Sequence, residues 1–331
     1  SLIQNLLMSI LQAIILGIVQ GLTEFIPVSS TAHLIFASRA VGLFEGVNQS
    51  LRSEQTTATI AVIQLGTLIA VLIYFARDIF VITAAFIRDH LALLRGGRSG
   101  AARAEKVESD RPFGLSQEAW LGWLVIIGSI PIGTVGLLLK KLIEGTLTKN
   151  LWVIATMMIV IALLLWIAEI VGKQKRGMEQ LGVKDAIIVG FAQVLALMPG
   201  SSRSGSTIMA GLFAGEKRET AARFSFLLSI PAIAASGLLE LKKAVHVLPQ
   251  GSNLSLLIAT LVSGIVGYAS IWFLLRYLRT HTTGVFIGYR LIVGALLLVL
   301  LFGGYIKPLA ETAAKFENGN VAIAQSARVC Y

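Results

Sequence analysis

The hydrophobic positions of this chain fall into runs long enough to cross a lipid bilayer, rather than into the alternating stripes of a soluble protein. A helix needs about 20 predominantly apolar residues to cross the hydrocarbon core. Runs of about this length lie at about Thr57 to Phe75, Ala119 to Leu139, Leu151 to Val171, Thr220 to Leu239, Leu254 to Tyr277 and Val285 to Tyr305. The pattern predicts an all-α polytopic membrane protein with six transmembrane helices.

A further apolar segment, from about Leu6 to Leu43, is interrupted by Pro27. Proline removes a backbone donor and disfavours helix at the residue before it, so a straight span is not expected here. Polar side chains cluster around the proline: Gln20, Thr23, Glu24, Ser29, Ser30, Thr31 and His33. Ionisable groups at membrane depth are costly and face a bundle interior or a water-filled cavity. The cluster is therefore a candidate functional site.

The chain also contains an internal repeat. The segment from Ala13 to Gln20 is echoed from Ala186 to Gln193, and Pro27-Val28-Ser29-Ser30 is echoed by Pro199-Gly200-Ser201-Ser202, with one residue of slippage between the two matches. Three apolar runs follow each copy, so a duplication is a better interpretation than chance similarity between hydrophobic segments. We expect a single membrane domain, 1–331, with repeat one at about 6–171, repeat two at about 182–305 and a polar tail at 310–331.

The number of crossings decides the symmetry of the two repeats. If each proline-broken segment re-enters and leaves by one face, each half has three crossings and the halves are inverted; if each segment crosses, the halves are parallel. On the re-entrant arrangement, Lys and Arg are more numerous on the face that carries the charged stretch from Arg77 to Gln117, which we interpret as a solvated loop. The positive-inside rule then places this face in the cytoplasm and both termini outside. The two broken tips would meet near the midplane.

Composition and charge agree with a membrane protein. Of the 331 residues, 55% are hydrophobic and 14% are charged. A net charge of +10 would suggest nucleic acid as the partner of a soluble protein. In a membrane protein, basic residues collect in cytoplasmic loops and near anionic headgroups, so no nucleic-acid role is expected. The only cysteine is Cys330, which excludes an intramolecular disulfide and a cysteine-based metal site.

The first motif surrounds Pro27. Gln20 and Glu24 are four residues apart, so on a helix they share a face. Ser29 or Ser30 then lies at the N-cap of the next helix, where free N–H groups favour a phosphoryl oxygen. His33 follows one turn later. Capping serines and single histidines are often structural, but an unpaired carboxylate at this depth costs several kcal/mol. Glu24 is therefore the strongest candidate.

The second motif runs from Pro199 to Thr207 and combines glycines and hydroxyls with Arg203. A guanidinium grips a phosphate bidentately, so the motif indicates an anion cradle. A helix-packing surface of small residues is the alternative, but it does not require the arginine. Two more polar residues lie in spans. Gln64 is interpreted as a helix–helix hydrogen bond, and Arg290 as a structural residue more often than one that pairs with a carboxylate or contacts phosphate.

The two motifs resemble those of the undecaprenyl pyrophosphate phosphatase family of bacterial membranes, also called the bacitracin-resistance proteins. The matching stretches are Gln20-Gly21-Leu22-Thr23-Glu24, Pro27-Val28-Ser29-Ser30-Thr31-Ala32-His33 and Pro199-Gly200-Ser201-Ser202-Arg203-Ser204. The resemblance covers about Leu6 to Tyr305. Gln20 stands where Glu is frequent in the family, which shifts any essential acid role to Glu24, and Ala32 stands where many members have Gly.

The resemblance implies dephosphorylation of undecaprenyl pyrophosphate to undecaprenyl phosphate, the carrier lipid of cell-wall synthesis. It implies an outer-leaflet site in the bacterial plasma membrane, a divalent cation such as Mg²⁺ or Ca²⁺, and an inverted repeat with two re-entrant helix pairs. It carries Glu24, Ser30, His33 and Arg203 over as active-site positions, with Glu24 also a candidate metal ligand. The candidate substrate-binding residues are Gln20, Ser29, Thr31, Ser201, Ser202, Ser204 and Thr207. The nucleophile stays open between Ser30 and water, and a homodimer is a further hypothesis.

Two other functions are weighed against this one. A type-2 phosphatidic acid phosphatase carries a His about six residues after a Ser-Arg pair, and none follows Ser202-Arg203 at that distance. A transporter or flippase of an anionic lipid suits the same inverted repeat and broken helices, since helix ends at the midplane bind ions without chemistry. The phosphatase is favoured because Glu24, His33 and the serines exceed what an anion-binding site needs.

Overall fold

A computed structural model of the chain describes residues 8–44, 49–95, 114–139, 150–248 and 251–306. The predicted tail at 310–331, with Cys330, lies outside the described residues. The α-helices, numbered here in chain order, are α1 Ile10–Phe25, α2 Ser30–Ala40, α3 Gln49–Tyr74, α4 Ala76–Leu94, α5 Gln117–Leu138, α6 Leu151–Val171, α7 Val183–Val194, α8 Arg203–Phe213, α9 Arg218–Val247, α10 Asn253–Leu278 and α11 Gly284–Phe302.

Six of these helices are long and apolar enough to cross a membrane: α3, α5, α6, α9, α10 and α11. They coincide with the six predicted apolar runs, so the all-α membrane fold is confirmed. Pro131 lies inside α5 and Pro231 inside α9, and neither ends its helix. The spans therefore continue through both prolines.

Of the five other helices in the described residues, four form two pairs, each interrupted by a break. Helices α1 and α2 have 16 and 11 residues, and α7 and α8 have 12 and 11. Each helix is shorter than the about 20 residues that a span requires. The break after α1 contains Pro27, as predicted. A short 3₁₀ turn, Leu195–Leu197, follows α7 before the second break.

The backbone at the two breaks corrects the register of the internal repeat. Ser29 precedes α2 with φ 81° and Ser202 precedes α8 with φ 66°, a left-handed region that residues other than glycine seldom occupy. Ser29 follows Gln20 by nine residues, and Ser202 follows Gln193 by the same nine. Ser29 therefore corresponds to Ser202, and the predicted slippage of one residue is wrong. Aligning the two Ser-Ser pairs by residue type gave the wrong register. The feature that repeats is the position at which the helix after each break begins.

The spanning helices alternate in direction, and each half contributes three of them. At one end of the bundle, Glu169 near the end of α6 contacts both Arg218 at the start of α9 and Thr283 just before α11. At the other end, Ser255 at the start of α10 donates to the carbonyl of Met8, just before α1. An odd number of spans in each half inverts the second half relative to the first, as predicted.

Part of the predicted solvated loop is a helix. One residue, Phe75, separates the end of α3 from the start of α4, and the apolar residues Ile82 and Phe86 of α4 lie four apart on one face. Asp89 is 0% exposed and accepts a hydrogen bond of 2.8 Å from the backbone N–H of Ser116. The loop prediction, which began at Arg77, is therefore wrong for 77–94, where charged residues obscured the helical spacing. Residues 96–113 lie outside the described part of the chain.

A close approach of α1 to α10 sets the position of the first polar cluster. A Cβ atom built on Gly21 would lie 2.8 Å from the carbonyl oxygen of Ser263 and from the backbone nitrogen of Gly267. Only glycine allows the two backbones to come so near. Below the break, Phe25 packs edge-on against Phe226, with ring centroids 5.2 Å apart. The end of α1 is thus fixed in the bundle interior.

Candidate active site

Glu24 lies in the last turn of α1, and its side chain is only 5% exposed. Its carboxylate accepts hydrogen bonds from Gln20 Nε2 at 2.9 Å, from Gln64 Nε2 at 3.2 Å and from Arg203 Nη2 at 3.0 Å. A buried charge is tolerated when it is paired and hydrogen-bonded. The predicted shared face of Gln20 and Glu24 is confirmed, and the carboxylate is compensated by an arginine from the other half of the chain.

Arg203 is the first residue of α8, and its side chain is 12% exposed. One terminal nitrogen, Nη2, is paired with Glu24. The other, Nη1, is buried and has no hydrogen-bond partner among the described residues. Buried polar groups are rarely left unpaired in folded proteins. The free Nη1 group is therefore a donor available to an anion at the tip.

The start of α2 presents the predicted hydroxyl groups. Ser30 is the first residue of the helix and is partly exposed, and within the described part of the chain its Oγ forms no hydrogen bond. Ser29 is buried and its side chain does not cap the helix; Thr31 is exposed. The first N–H groups of a helix have no intrahelical acceptor, and here no side chain from the N-cap takes one. Ser30 thus lies at an uncapped helix N-terminus, which favours anions.

His33 is held by two partners. Its Nδ1 lies 2.7 Å from the Ser29 carbonyl oxygen, so Nδ1 carries the hydrogen and donates it. Its Nε2 lies 2.6 Å from the hydroxyl of Tyr289 and therefore accepts from it, and the two rings stack with centroids 5.5 Å apart. This tautomer is assigned from the hydrogen-bond geometry. The imidazole is thereby oriented by α2 on one side and by α11 on the other.

The serines of the second motif divide into two groups. Ser202 Oγ accepts from the N–H of Gly205 at 3.2 Å and lies 3.2 Å from Ser204 Oγ, which donates to the Ile26 carbonyl at 3.4 Å. These two hydroxyls lie at the start of α8 and connect it to the first break. Ser201 Oγ is within 2.7 Å of the carbonyl oxygens of Leu195 and Met198. It therefore holds the second break together.

The Thr207 hydroxyl, like that of Ser201, is hydrogen-bonded within the protein. Its Oγ1 donates to the Arg203 carbonyl at 2.8 Å and lies 2.6 Å from Ser225 Oγ. The structure thus brings Gln20, Glu24 and Arg203 into direct contact and places Ser202 and Ser204 beside the first break. The hydroxyls of Ser201 and Thr207 are bonded within the protein.

Three residues that contact this cluster were not predicted as part of it. Gln64 in α3 donates to Glu24, and Tyr289 in α11 contacts His33. The signal for Gln64 was a single amide in an apolar span, which the sequence alone could not connect to α1. Thr67, one turn further along α3, lies 3.4 Å from Gln20 Nε2. Helix α3 therefore forms one wall of the site.

The described residues offer one carboxylate in the cluster, Glu24, as a ligand for the predicted Mg²⁺ or Ca²⁺. They contain no group of three or more His, Cys, Asp or Glu side chains able to hold a metal ion. Glu24 is the single carboxylate in the cluster, and both of its oxygens accept from N–H donors. These cations take six or more oxygen ligands, of which protein carboxylates usually supply several for Ca²⁺ and one or two for Mg²⁺. The predicted cofactor stays a prediction.

The fold and this cluster define a class: polytopic helical membrane proteins whose polar site is built where two broken helix pairs from inverted halves meet. Within that class, the family model described as Bacitracin resistance protein BacA matches residues 13–296. The chain therefore belongs to the bacitracin resistance protein BacA family, as the motifs predicted.

Curated relatives agree with this assignment. The chain is 48% identical over 295 residues to an undecaprenyl-diphosphatase of Syntrophobacter fumaroxidans, which covers 89% of this chain and 98% of the relative. It is 46% identical to undecaprenyl-diphosphatases of Mycolicibacterium vanbaalenii and Myxococcus xanthus, over 91% and 92% of this chain and 100% and 93% of the relatives. The similarity thus spans both halves of the molecule.

Proposed function

We propose that this chain is a membrane phosphatase that hydrolyses undecaprenyl diphosphate to undecaprenyl phosphate and inorganic phosphate. The names of relatives that match nearly their whole length support this substrate. The structural observation that carries the proposal is the Glu24–Arg203 pair, because it places the anion-binding arginine of one half against the carboxylate of the other. No observation on the described residues favours the transporter or flippase alternative.

In the proposed reaction, the diphosphate binds between the N-termini of α2 and α8. Arg203 donates its free Nη1 to the terminal phosphoryl group, and the N–H groups at the start of α2 stabilise the charge on its oxygens. Ser202 and Ser204 lie beside this position. Positioning and electrostatic stabilisation are the main requirements of phosphoryl transfer, so this donor set is suited to it.

The Ser30 hydroxyl attacks the terminal phosphorus, and the bond from that phosphorus to the bridging oxygen breaks. Undecaprenyl phosphate leaves, and the serine proton passes to Glu24, with His33 assisting the transfer. Water then attacks the phosphoserine and releases inorganic phosphate, which restores the Ser30 hydroxyl. If water attacks the substrate directly, Ser30 instead positions the phosphoryl group.

A divalent cation, Mg²⁺ or Ca²⁺, belongs to this proposal as an expectation from the family resemblance. Glu24 would be its protein ligand. A cation that accompanies the substrate would be held mainly by diphosphate oxygens.

We place the protein in the bacterial plasma membrane with the site open to the outer leaflet and both termini outside. Arg77, Arg176, Arg218 and Arg279 lie at the end of the bundle opposite the start of α1, which supports a cytoplasmic position for that end. Helix α1 then enters from the outside. The homodimer and the lack of a nucleic-acid partner stay predictions.

Purified protein in detergent, given undecaprenyl diphosphate, tests the activity by the release of phosphate. A radiolabelled terminal phosphate tests the nucleophile: label trapped on the protein by acid quench indicates Ser30, and its absence at full turnover indicates water. Translocation of the lipid in liposomes without phosphate release would favour the flippase instead.

A further inference from the structure

Arg290, in the second turn of α11, is the largest fully buried side chain in the described residues, at 0% exposure. All of its hydrogen bonds go to backbone carbonyls. Nε donates to Met158 at 3.2 Å, Nη1 to Pro27 at 3.3 Å, and Nη2 to Met157 at 3.3 Å. Nη2 also lies 3.0 Å from the carbonyls of Gly200 and Ser201. The sequence left open whether Arg290 pairs with a carboxylate, contacts phosphate or has a structural role. Its contacts in the structure fit the structural role.

Three of the carbonyls that Arg290 binds belong to the two breaks, and the other two, of Met157 and Met158, belong to α6. Pro27 lies two residues before Ser29, which precedes α2, and Gly200 and Ser201 lie just before Ser202, which precedes α8. Carbonyls in such irregular backbone lack helical partners, and at membrane depth no bulk water replaces them. A guanidinium is a planar fork with five donors, so one side chain can bind carbonyls from three segments.

The second break lies in close contact with its surroundings. Gly200 has φ +89°, and a Cβ built on it would lie 2.4 Å from the carbonyl oxygen of Ile154 in α6. A Cβ on Gly205 would lie 3.5 Å from Arg290 Nη1. The second break is therefore pressed against α6 on one side and against the guanidinium on the other. Through its hydrogen bonds to the carbonyls of Pro27, Gly200 and Ser201, Arg290 connects the second break to the first.

We propose that Arg290 is a positioning residue that fixes the start of α2, with Ser30, relative to the start of α8, with Arg203. It acts through the two backbones and does not touch the substrate. The inference rests on the proposed function in so far as the fixed distance serves phosphoryl transfer. A misplacement of reacting groups by about 1 Å can lower a rate about 100-fold, so the fixed distance has a direct kinetic consequence.

The test compares Arg290→Lys and Arg290→Ala with Arg279→Lys, an arginine whose side chain is 60% exposed and pairs with Glu219. We expect Arg290→Lys to lower kcat about 100-fold, with KM changed by less than about threefold, because one ammonium cannot bind carbonyls from both breaks. Guanidinium at millimolar concentration should restore part of the kcat of Arg290→Ala, and sodium chloride at equal ionic strength should not. Arg279→Lys should retain the wild-type kcat.

Hydrogen exchange read by mass spectrometry gives a measurement that is independent of activity. In Arg290→Lys, faster exchange should be confined to peptides that contain residues 26–30 and 199–204. Equal acceleration in α3 and α10 would mean a general loss of stability and would overturn the proposal, as would a wild-type kcat. If the wild-type protein releases no phosphate, the proposed function fails, while the exchange pattern still decides whether Arg290 fixes the two breaks.

A second variant keeps the test open if the Arg290 substitutions do not fold. Gly205→Ala leaves Arg290 in place and adds a methyl group 3.5 Å from Nη1 and 3.3 Å from Ser202. We expect a several-fold lower kcat with unchanged KM and locally faster exchange at the same two peptides. Wild-type kcat together with wild-type exchange in this variant would contradict the proposal.

Discussion

The Glu24 carboxylate and the Arg203 guanidinium form an ion pair of 3.0 Å although 179 positions separate them in the sequence. The pair joins the last turn of α1 to the first residue of α8, and so joins the two inverted halves. Its remaining donor, Arg203 Nη1, has no partner among the described residues. This buried, unpartnered donor beside the ion pair is the observation on which the proposed anion site rests.

The coupling between Glu24 and Arg203 can be measured with a double-mutant cycle. We expect Glu24→Gln and Arg203→Ala each to lower kcat/KM at least about 100-fold, which corresponds to ~3 kcal/mol of transition-state stabilisation. Because the two side chains act as a unit, kcat/KM of the double variant should be only slightly lower than that of the less active single variant. Additive losses, measured as phosphate release, would mean that the two residues act independently.

Gln64 is expected to tune the site without being essential to it. It supplies one of three donors to Glu24, at 3.2 Å, and a hydrogen bond to a charged group contributes about 1.5 to 3 kcal/mol. We expect Gln64→Leu to lower kcat/KM about 10-fold or more. Thr260, which contacts α3 away from the cluster through the Val62 carbonyl, offers a control. If Thr260→Val lowers kcat/KM as much as Gln64→Leu, the effect comes from helix packing.

Adjacent hydroxyls at the start of α2 allow a matched comparison. Ser30 is the proposed nucleophile, while Thr31 is exposed and lies one residue further along the helix. We expect Ser30→Ala to abolish acid-stable phosphoenzyme and to lower kcat more than 1000-fold, in the range reported for loss of a nucleophile. Thr31→Ala should keep the phosphoenzyme. Trapping of equal label on both variants would exclude Ser30 as the nucleophile.

Glu216, in the turn between α8 and α9, gives a prediction about stability. Its two carboxyl oxygens are buried and have no hydrogen-bond partner within the described residues. Burial, and next the nearby Asp185, raise the pKa of Glu216 from 4.5 to about 7, while Arg176 opposes the change. The folded state therefore binds this proton more tightly than the unfolded state, and stability falls as pH rises from about 4.5 to about 7.

Replacing this carboxyl by a neutral amide should remove the pH dependence. We expect Glu216→Gln to be more stable than the wild type at pH 8, by at most ~3 kcal/mol, with the difference shrinking toward pH 5. The measurement is the thermal midpoint in detergent as a function of pH. Glu179→Gln, at an exposed position, is the control and should follow the wild type. A Glu216→Gln curve parallel to that of the wild type would show that the buried carboxyl does not titrate in this range.

The fold was largely predictable from the sequence because membrane spans are set by length and hydropathy. The six spans and the break at Pro27 follow from those two quantities. Helix α4 was not predicted. The charged residues between Arg77 and Gln117 indicated a loop, although apolar residues in that stretch are spaced four apart, as on one face of a helix. The register of the repeat was also missed, because the left-handed backbone at Ser29 and Ser202 leaves no mark on residue type.

The candidate site was predictable in its residues and less so in their connections. The i and i+4 spacing of Gln20 and Glu24 gave their contact directly. The ion pair from Glu24 to Arg203 depends on how the two halves pack, which no local pattern encodes. Tyr289 and Arg290 were separated from both motifs by whole spanning helices, so their contacts with His33 and with the two breaks required the three-dimensional arrangement.

Release of phosphate from undecaprenyl diphosphate by the purified full-length protein is the most direct test of the central claim. The wild-type protein should release one phosphate per lipid and leave undecaprenyl phosphate, and Arg203→Ala should do so at least about 100-fold more slowly. Folded wild-type protein that leaves the diphosphate intact, or an Arg203→Ala variant as active as the wild type, would contradict the account.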